Sequence, residues 1–220
     1  MPKTHSLPLP KAILWDMDGT LIDQKTAIIR TYNEVIQSMG GNLPDPEIIR
    51  RSLGGPMAAT MALFINEAHL DEAAAHFRQR FPEIMFDGLI ILPGGSALIE
   101  SAYNACIPQV IFTNKHGETA RKISKYAGFS KYIPTCIGST DTNWHKPQVA
   151  LTRYVLDQIQ ASAEGGCIIG DSPTDIETAH NANLLCYCIA TGAHNTEELI
   201  ASGAAAAFNS LVELKAAFGL

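Results

Sequence analysis

Two aspartates one residue apart, Asp16 and Asp18, stand at the end of the apolar run AILW and lead into Gly19 and Thr20. A carboxylate can attack an electrophilic centre, hold a hard cation or move a proton, and paired carboxylates can divide those tasks. Asp before Gly also makes ordinary turns, by accepting hydrogen bonds from its own backbone. Groups that would complement such a pair occur at three later places. Thr113 and Asn114 follow the run QVIF in the way that Asp16 follows AILW. A hydroxyl there can donate to developing negative charge without adding more, and can equally cap a helix. Lys146 precedes Pro147, which biases its backbone to an extended form and lets a helix begin just after it. In GDSPTD, Asp171 follows another apolar run, while Ser172, Pro173 and Asp175 have the spacing of a capping box.

These groups matter only if the chain brings strand ends together. The run at 12–15 is uniformly apolar and bounded by turn residues, the pattern of a strand buried on both faces. From 24 to 87 no strand pattern occurs. Ala27, Ile28, Val35, Ile36 and Met39 instead recur at helical spacing. Residues 47–53 read as a short helix, Gly54, Gly55 and Pro56 as a turn, and 57–67 and 70–85 as two more helices, with Pro82 breaking or kinking the last. Beyond Asp87, strands at 109–112, 135–137, 166–169, 184–190 and 204–208 alternate with helices at 96–106, 117–127, 147–160, 173–181, 197–202 and 211–218. The alternation predicts an α/β fold with a doubly wound parallel sheet, and the helical run predicts a small inserted unit. The predicted division is a core of 1–22 and 88–220 with a helical unit of 23–87. Ligands of such sheets gather beyond the carboxyl ends of the strands, where Asp16, Thr113 and Asp171 fall.

Composition narrows the classes. The 220 residues are 46% hydrophobic and 17% charged, enough apolar content for a sizeable ordered core. Sixteen basic against 22 acidic residues give a net charge of −6 with no basic run, which disfavours a nucleic-acid partner. No stretch approaches the ~20 apolar residues of a membrane span, so a cytoplasmic protein is expected. The five cysteines, Cys106, Cys136, Cys167, Cys186 and Cys188, read as reduced thiols. Cys186 and Cys188 would share a strand face without the further ligands that zinc needs.

DMDGTLID closely resembles the first motif of the haloacid dehalogenase superfamily, and Thr113, Lys146 and GDSPTD follow in the order of its other three motifs. TNK at 113–115 is similar to the corresponding string of phosphoglycolate phosphatases, and DIETAHNAN, LLCYCIA and TGAHN resemble the family's ending. The resemblance implies a Rossmann-like core, a helical cap at 23–87 and Mg2+-dependent hydrolysis of a small phosphorylated metabolite, first 2-phosphoglycolate, through an aspartyl phosphate. It implies that Asp16 is the nucleophile and Asp18 the general acid and base. Thr113 and Lys146 would hold phosphoryl oxygens, Lys146 would also orient the nucleophile with Lys115 as its competitor, and Asn114 would join the substrate ligands. The metal would take Asp16, the main-chain carbonyl of Asp18, and Asp171, with Asp175 either in the metal's surroundings, capping its helix, or both. RRSLGGP at 50–56 lies where such caps present a specificity loop. Arg50 or Arg51 there could pair with a substrate carboxylate or second phosphate, Arg51 being the residue carried forward, or could simply solvate a helix end.

Asp18 and Thr20 favour a phosphatase over a sugar phosphomutase of the same family. A receiver-like phosphoacceptor domain shares the aspartate, hydroxyl, lysine and magnesium, but its accepting aspartate lies on a later strand and it has no helical insert. A P-loop is excluded by the lack of any GxxxxGK[ST] string. The expected partner is the small metabolite, with the chain a monomer or homodimer.

Overall fold

The computed structural model describes residues 7–52 and 57–220. Strand β1 (Ala12–Trp15) is wholly buried, as its uniformly apolar sequence demands. It runs into a tight loop and then into β2 (Ile22–Asp23), which pairs antiparallel with β3 (Ile90–Ile91). Between these two short strands lie α1 (Lys25–Ser38), α2 (Pro46–Ser52), α3 (Met57–Met61) and α4 (Leu70–Ile84). The rest of the chain alternates: α5 (Gly95–Asn104), β4 (Gln109–Phe112), α6 (Gly117–Tyr126), β5 (Cys136–Ile137) and α7 (Val149–Gln158). It closes with β6 (Gly166–Gly170), α8 (Pro173–Asn181), β7 (Leu185–Ile189), α9 (Thr196–Ala201), β8 (Ala206–Phe208) and α10 (Leu211–Phe218).

Six strands form one parallel sheet in the order β5-β4-β1-β6-β7-β8. From β1 the chain builds outward through β4 and β5, then returns to the other side of β1 at β6. That reversal flanks β1, so the carboxyl end of β1 opens onto the crevice where such sheets bind ligands. Alternation along the strands fills both layers. Ile13, Trp15 and Ile111 pack into one core with Leu98, Leu211 and Phe218, while Leu14, Val110 and Phe112 pack into the other with Val155, Ile176 and Leu199. The buried indole of Trp15 donates to Gln109 Oε1 at 3.0 Å, and Gln109 Nε2 donates to the carbonyl of Ile99, so the polar atoms inside this layer are paired.

The helices between β2 and β3 form their own apolar seam. Ile28, Tyr32, Val35 and Ile36 of α1 face the buried side of α4, and Arg80 of α4 reaches Glu34 of α1 at 2.6 Å. At the root of this unit the Gln24 amide donates to the carbonyl of Met85, joining its two connections to the sheet.

One expectation about the insert needs correction. The helix expected over 57–67 ends at Met61, and a separate 3-10 turn follows at Glu67–His69. Asn66 causes the break: its side chain accepts from the Ala68 N–H at 3.0 Å, offering the backbone a partner outside a continuous helix. The β2–β3 ladder was not anticipated, because two residues per strand give no readable period. The expected turn at Gly54, Gly55 and Pro56, and Leu53 before it, lie outside the described residues. Cys136, Cys167, Cys186 and Cys188 are buried free thiols and Cys106 is exposed. Among the described residues no helix is long and apolar enough to cross a membrane.

Candidate active site

The loop leaving β1 sets the geometry. Leu21 and Ile22 both return N–H groups to the carbonyl of Met17, and Gly19 N donates to the carbonyl of Ile22 at 2.8 Å. This turn needs φ of +81° at Gly19, and a Cβ there would lie 2.2 Å from Asp171 Oδ2. Glycine therefore does two things: it permits the left-handed turn and leaves space for a carboxylate from another strand. Gly192, in the loop after β7, bounds the same carboxylate, since a Cβ on it would lie 1.6 Å from Asp171 Oδ2.

Asp16, at the end of β1, is 5% exposed and receives Lys146 Nζ at 2.5 Å. The same ammonium donates to Asp175 Oδ1 at 2.7 Å and lies 4.7 Å from the centroid of Phe112. Lys146 is itself held by Asn114, whose Oδ1 accepts from the Lys146 N–H at 3.0 Å; the Lys146–Pro147 bond is cis. Burial would drive the ammonium toward neutrality, but the carboxylates of Asp16 and Asp175 outweigh it and keep the lysine charged. Burial pushes the Asp16 carboxyl up to about 7 against the pull of Lys146, with Asp175 and Asp18 adding repulsion. Asp171 is raised well above the usual carboxylate range by burial and by the nearby Asp16 and Asp175.

Asp175 is brought to the site, but its oxygens are already committed. Oδ1 takes Lys146, and Oδ2 accepts from the N–H groups of Asp171 and Ser172 and from the Ser172 hydroxyl. Placed at the start of α8, it anchors Lys146 and the β6–α8 turn at once. Asp18 points elsewhere. Its Oδ2 pairs with Lys115 Nζ at 2.8 Å, and its Oδ1 is buried without a hydrogen-bond partner among the described residues. Lys115 and Lys146 thus serve different carboxylates.

The donor set fits a hard divalent cation. Asp16, Asp171 and Asp175 offer oxygens within 4.8 Å of one another, facing the single ammonium of Lys146, and this is the cluster among the described residues suited to a metal. With Asp175 occupied, Asp16 and Asp171 are the side chains left to give oxygen, which matches the one or two carboxylates that Mg2+ usually takes. A crevice of about 20 Å3 lies beside them, lined by Asp18, Gly19, Asp171, Ser172 and Gly192.

A larger cavity of about 330 Å3 opens between sheet and helical insert. Its floor carries Asp16, Asp18, Thr113 and Asn114, and Thr113 is 4% exposed with its hydroxyl accepting from the Lys115 N–H. Its roof is Ile28 and Tyr32 of α1, Met57 and Thr60 of α3, and Phe77 and Phe81 of α4. Arg51 is not brought to either space. It is exposed and pairs with Glu47 at 3.0 Å, because its position on α2 turns it along its own helix. Arg50 instead reaches the core, donating from Nη1 to the carbonyl of Gly192 at 2.9 Å.

Several participants gave no clear sign in the sequence. The pairing of Lys115 with Asp18 was hidden because neither the position of Lys115 just past β4 nor that of Lys146 well beyond β5 tells which carboxylate each lysine reaches. Gly192 lies in a loop with no turn signature of its own. Phe77 and Phe81, four apart on one helix, carried a signal in their spacing that reads equally as core.

Comparisons with known proteins agree with this architecture. The family profile of haloacid dehalogenase-like hydrolases matches residues 13–189. A 5'-nucleotidase of Pseudomonas aeruginosa is 28% identical over 191 residues, covering 85% of this chain and 86% of the relative. A phosphoglycolate phosphatase of Rhodospirillum rubrum is 25% identical over 217 residues, covering 94% and 90%. A pyrophosphatase of Listeria monocytogenes is 28% identical over 190 residues, covering 85% and 86%. Among solved structures, a haloacid dehalogenase-like family hydrolase of Streptococcus pneumoniae superposes with a TM-score of 0.86 at 24% identity, covering 94% of this chain and 97% of that one. With the profile spanning β1 through β7, the chain belongs to the haloacid dehalogenase-like hydrolases.

Proposed function

We propose that this enzyme hydrolyses a small phosphate monoester through an aspartyl phosphate on Asp16, in a Mg2+-dependent reaction. A phosphate monoester repels an approaching carboxylate, so cations and donors have to be in place before attack. Lys146 is such a cation: held by Asp16, Asp175 and Asn114, it orients the nucleophile and offsets charge on the transferring group. Asp16 attacks phosphorus, the ester oxygen leaves, and Asp18 gives it a proton. Water then attacks the acyl phosphate, with Asp18 taking the proton back and releasing phosphate. The Thr113 hydroxyl donates to an equatorial oxygen through both steps. Asp16, the main-chain carbonyl of Asp18, and Asp171 would hold Mg2+, which supplies charge neutralisation at the phosphoryl oxygens.

The single observation that carries this reading is the separation of tasks between neighbouring carboxylates. Asp16 is locked against a buried lysine, while Asp18 faces the cavity with one oxygen unpartnered. The helical insert of residues 23–87 serves as the cap that excludes water above them. The position of Asp16 on the first strand, beneath that insert, speaks against a receiver-like phosphoacceptor.

The test is a panel of phosphorylated metabolites assayed with and without Mg2+, beside Asp16→Asn. 2-Phosphoglycolate, favoured by the TNK string, is the reference ester. Phosphate release that needs Mg2+ and disappears in Asp16→Asn is expected. Release that survives this substitution would remove the nucleophile, and isomerisation of a sugar phosphate without release would replace the phosphatase by a mutase.

A further inference from the structure

We propose that the ester this site accepts carries a planar aromatic ring on its alcohol, a proposal that deepens the phosphatase reading and rests on it. The cavity is far larger than the reaction centre requires. Its volume of about 330 Å3 is at the lower end of pockets that bury ligands of roughly 300–1,000 Å3, and a two-carbon acid anchored at Asp16 would fill little of it.

The walls differ in chemistry. Tyr32, Phe77 and Phe81 form a continuous aromatic face: the rings of Tyr32 and Phe77 are 4.8 Å apart at 50°, and those of Phe77 and Phe81 are 5.4 Å apart and nearly parallel at 17°. Ile28 and Met57 extend that face. A carboxylate or a sugar hydroxyl pressed against such a wall would lose water without gaining a partner, whereas a flat ring gains stacking and apolar burial. The opposite side is polar, with His116, Ser139, Thr140 and His145. The Nδ1 atoms of both histidines are buried and have no hydrogen-bond partner among the described residues.

The cations do not favour a second anion deep in the cavity. Lys115 is committed to Asp18 and lies over the Phe81 ring at 4.8 Å, and Arg78 stands on the exposed rim. The deep part of the pocket is therefore aromatic on one side and polar on the other.

Matched pairs isolate the ring. Adenosine 5'-monophosphate against ribose 5-phosphate, and benzyl phosphate against cyclohexylmethyl phosphate, differ only in the aromatic group or its flatness. With Mg2+ and the full chain, kcat/KM for at least one ring-bearing ester should exceed that of its match, and that of 2-phosphoglycolate, by about tenfold. Phe77→Leu, which keeps apolar bulk without the ring, should shrink that ratio about threefold or more, chiefly through KM. Two results would overturn the proposal: neither pair differing, or Phe77→Leu leaving the ratio intact. Calorimetric binding to the same esters separates this proposal from the phosphatase reading. If no ester is hydrolysed but adenosine 5'-monophosphate or benzyl phosphate binds about tenfold tighter than its match, the pocket assignment stands and the reaction falls. Equal binding within both pairs removes the pocket assignment.

Discussion

At the scale of single residues, two lysines separated by chain but not by chemistry set the site's behaviour. Lys146 sits fully buried between two carboxylates, so Lys146→Met leaves Asp16 and Asp175 facing each other without compensation. Breaking such a pair costs about 3–5 kcal/mol, and the lost transition-state cation costs about 100-fold or more in kcat. Urea unfolding and steady-state kinetics would read both, and a variant with native kcat would remove Lys146 from the mechanism. Lys115 is placed to act through Asp18, whose Oδ2 it holds at 2.8 Å in the wall of the cavity. Lys115→Met should lower kcat about tenfold on alkyl phosphates. It should cost much less on p-nitrophenyl phosphate, whose leaving group departs without a proton. Equal losses on both would show that Lys115 does not work through the acid. The sequence could place Asp16, Asp18, Thr113 and Asp171 together because each follows a buried strand or its turn. It could not decide between the lysines, since an ammonium on four flexible carbons reaches whatever carboxylate the fold offers. Arg51, put forward for a substrate anion, pairs with Glu47 four residues earlier on its own helix.

At the scale of elements, the loops after the strands do the positioning. Strands β1, β4 and β6 were legible as apolar runs, and α8 and α10 fell on their expected bounds, because burial on both faces and capping residues leave plain marks. The insert was less legible: α2 and α3 are short, and Asn66 interrupts a pattern that otherwise continues. The loop after β7 was marked only by the likeness of TGAHN to the family's ending, yet Gly192 supports both sides of the site. It leaves space for Asp171 and accepts Arg50 from the insert. Gly192→Ala should displace the Asp171 carboxylate and raise the Mg2+ concentration for half-maximal activity about tenfold or more. Gly192 has no left-handed backbone, so circular dichroism and the unfolding midpoint should stay near native. Unchanged Mg2+ dependence would show that Asp171 adapts without penalty.

At the scale of the whole molecule, the sheet gathers acids that the free chain would keep apart, and stability bears the consequence. Asp16 is raised to about 7 and Asp171 is raised well above its ordinary value, so without metal the native state holds protons that the unfolded chain releases near pH 4. A group whose folded value is raised contributes its stability below the unfolded value and loses it as pH climbs through the folded one. The unfolding midpoint of metal-free protein should therefore carry a falling component between about pH 4 and pH 7 that Asp171→Asn makes shallower. At pH 7 the same variant should melt about 2–6 °C above the metal-free parent, since a neutral amide removes one of the crowded charges. Mg2+ favours the ionised carboxylates, so it should raise the parent's midpoint more at pH 7 than at pH 5, and the variant's much less at either. Differential scanning calorimetry across that range, with chelator and with Mg2+, measures all of these together. A parent that melts higher at pH 7 than Asp171→Asn in chelator, and gains nothing from Mg2+, would mean that these acids are paired for structure and not poised for a cation. The stability deficit expected of the cluster without metal and its proposed affinity for a cation would be two readings of the same crowding.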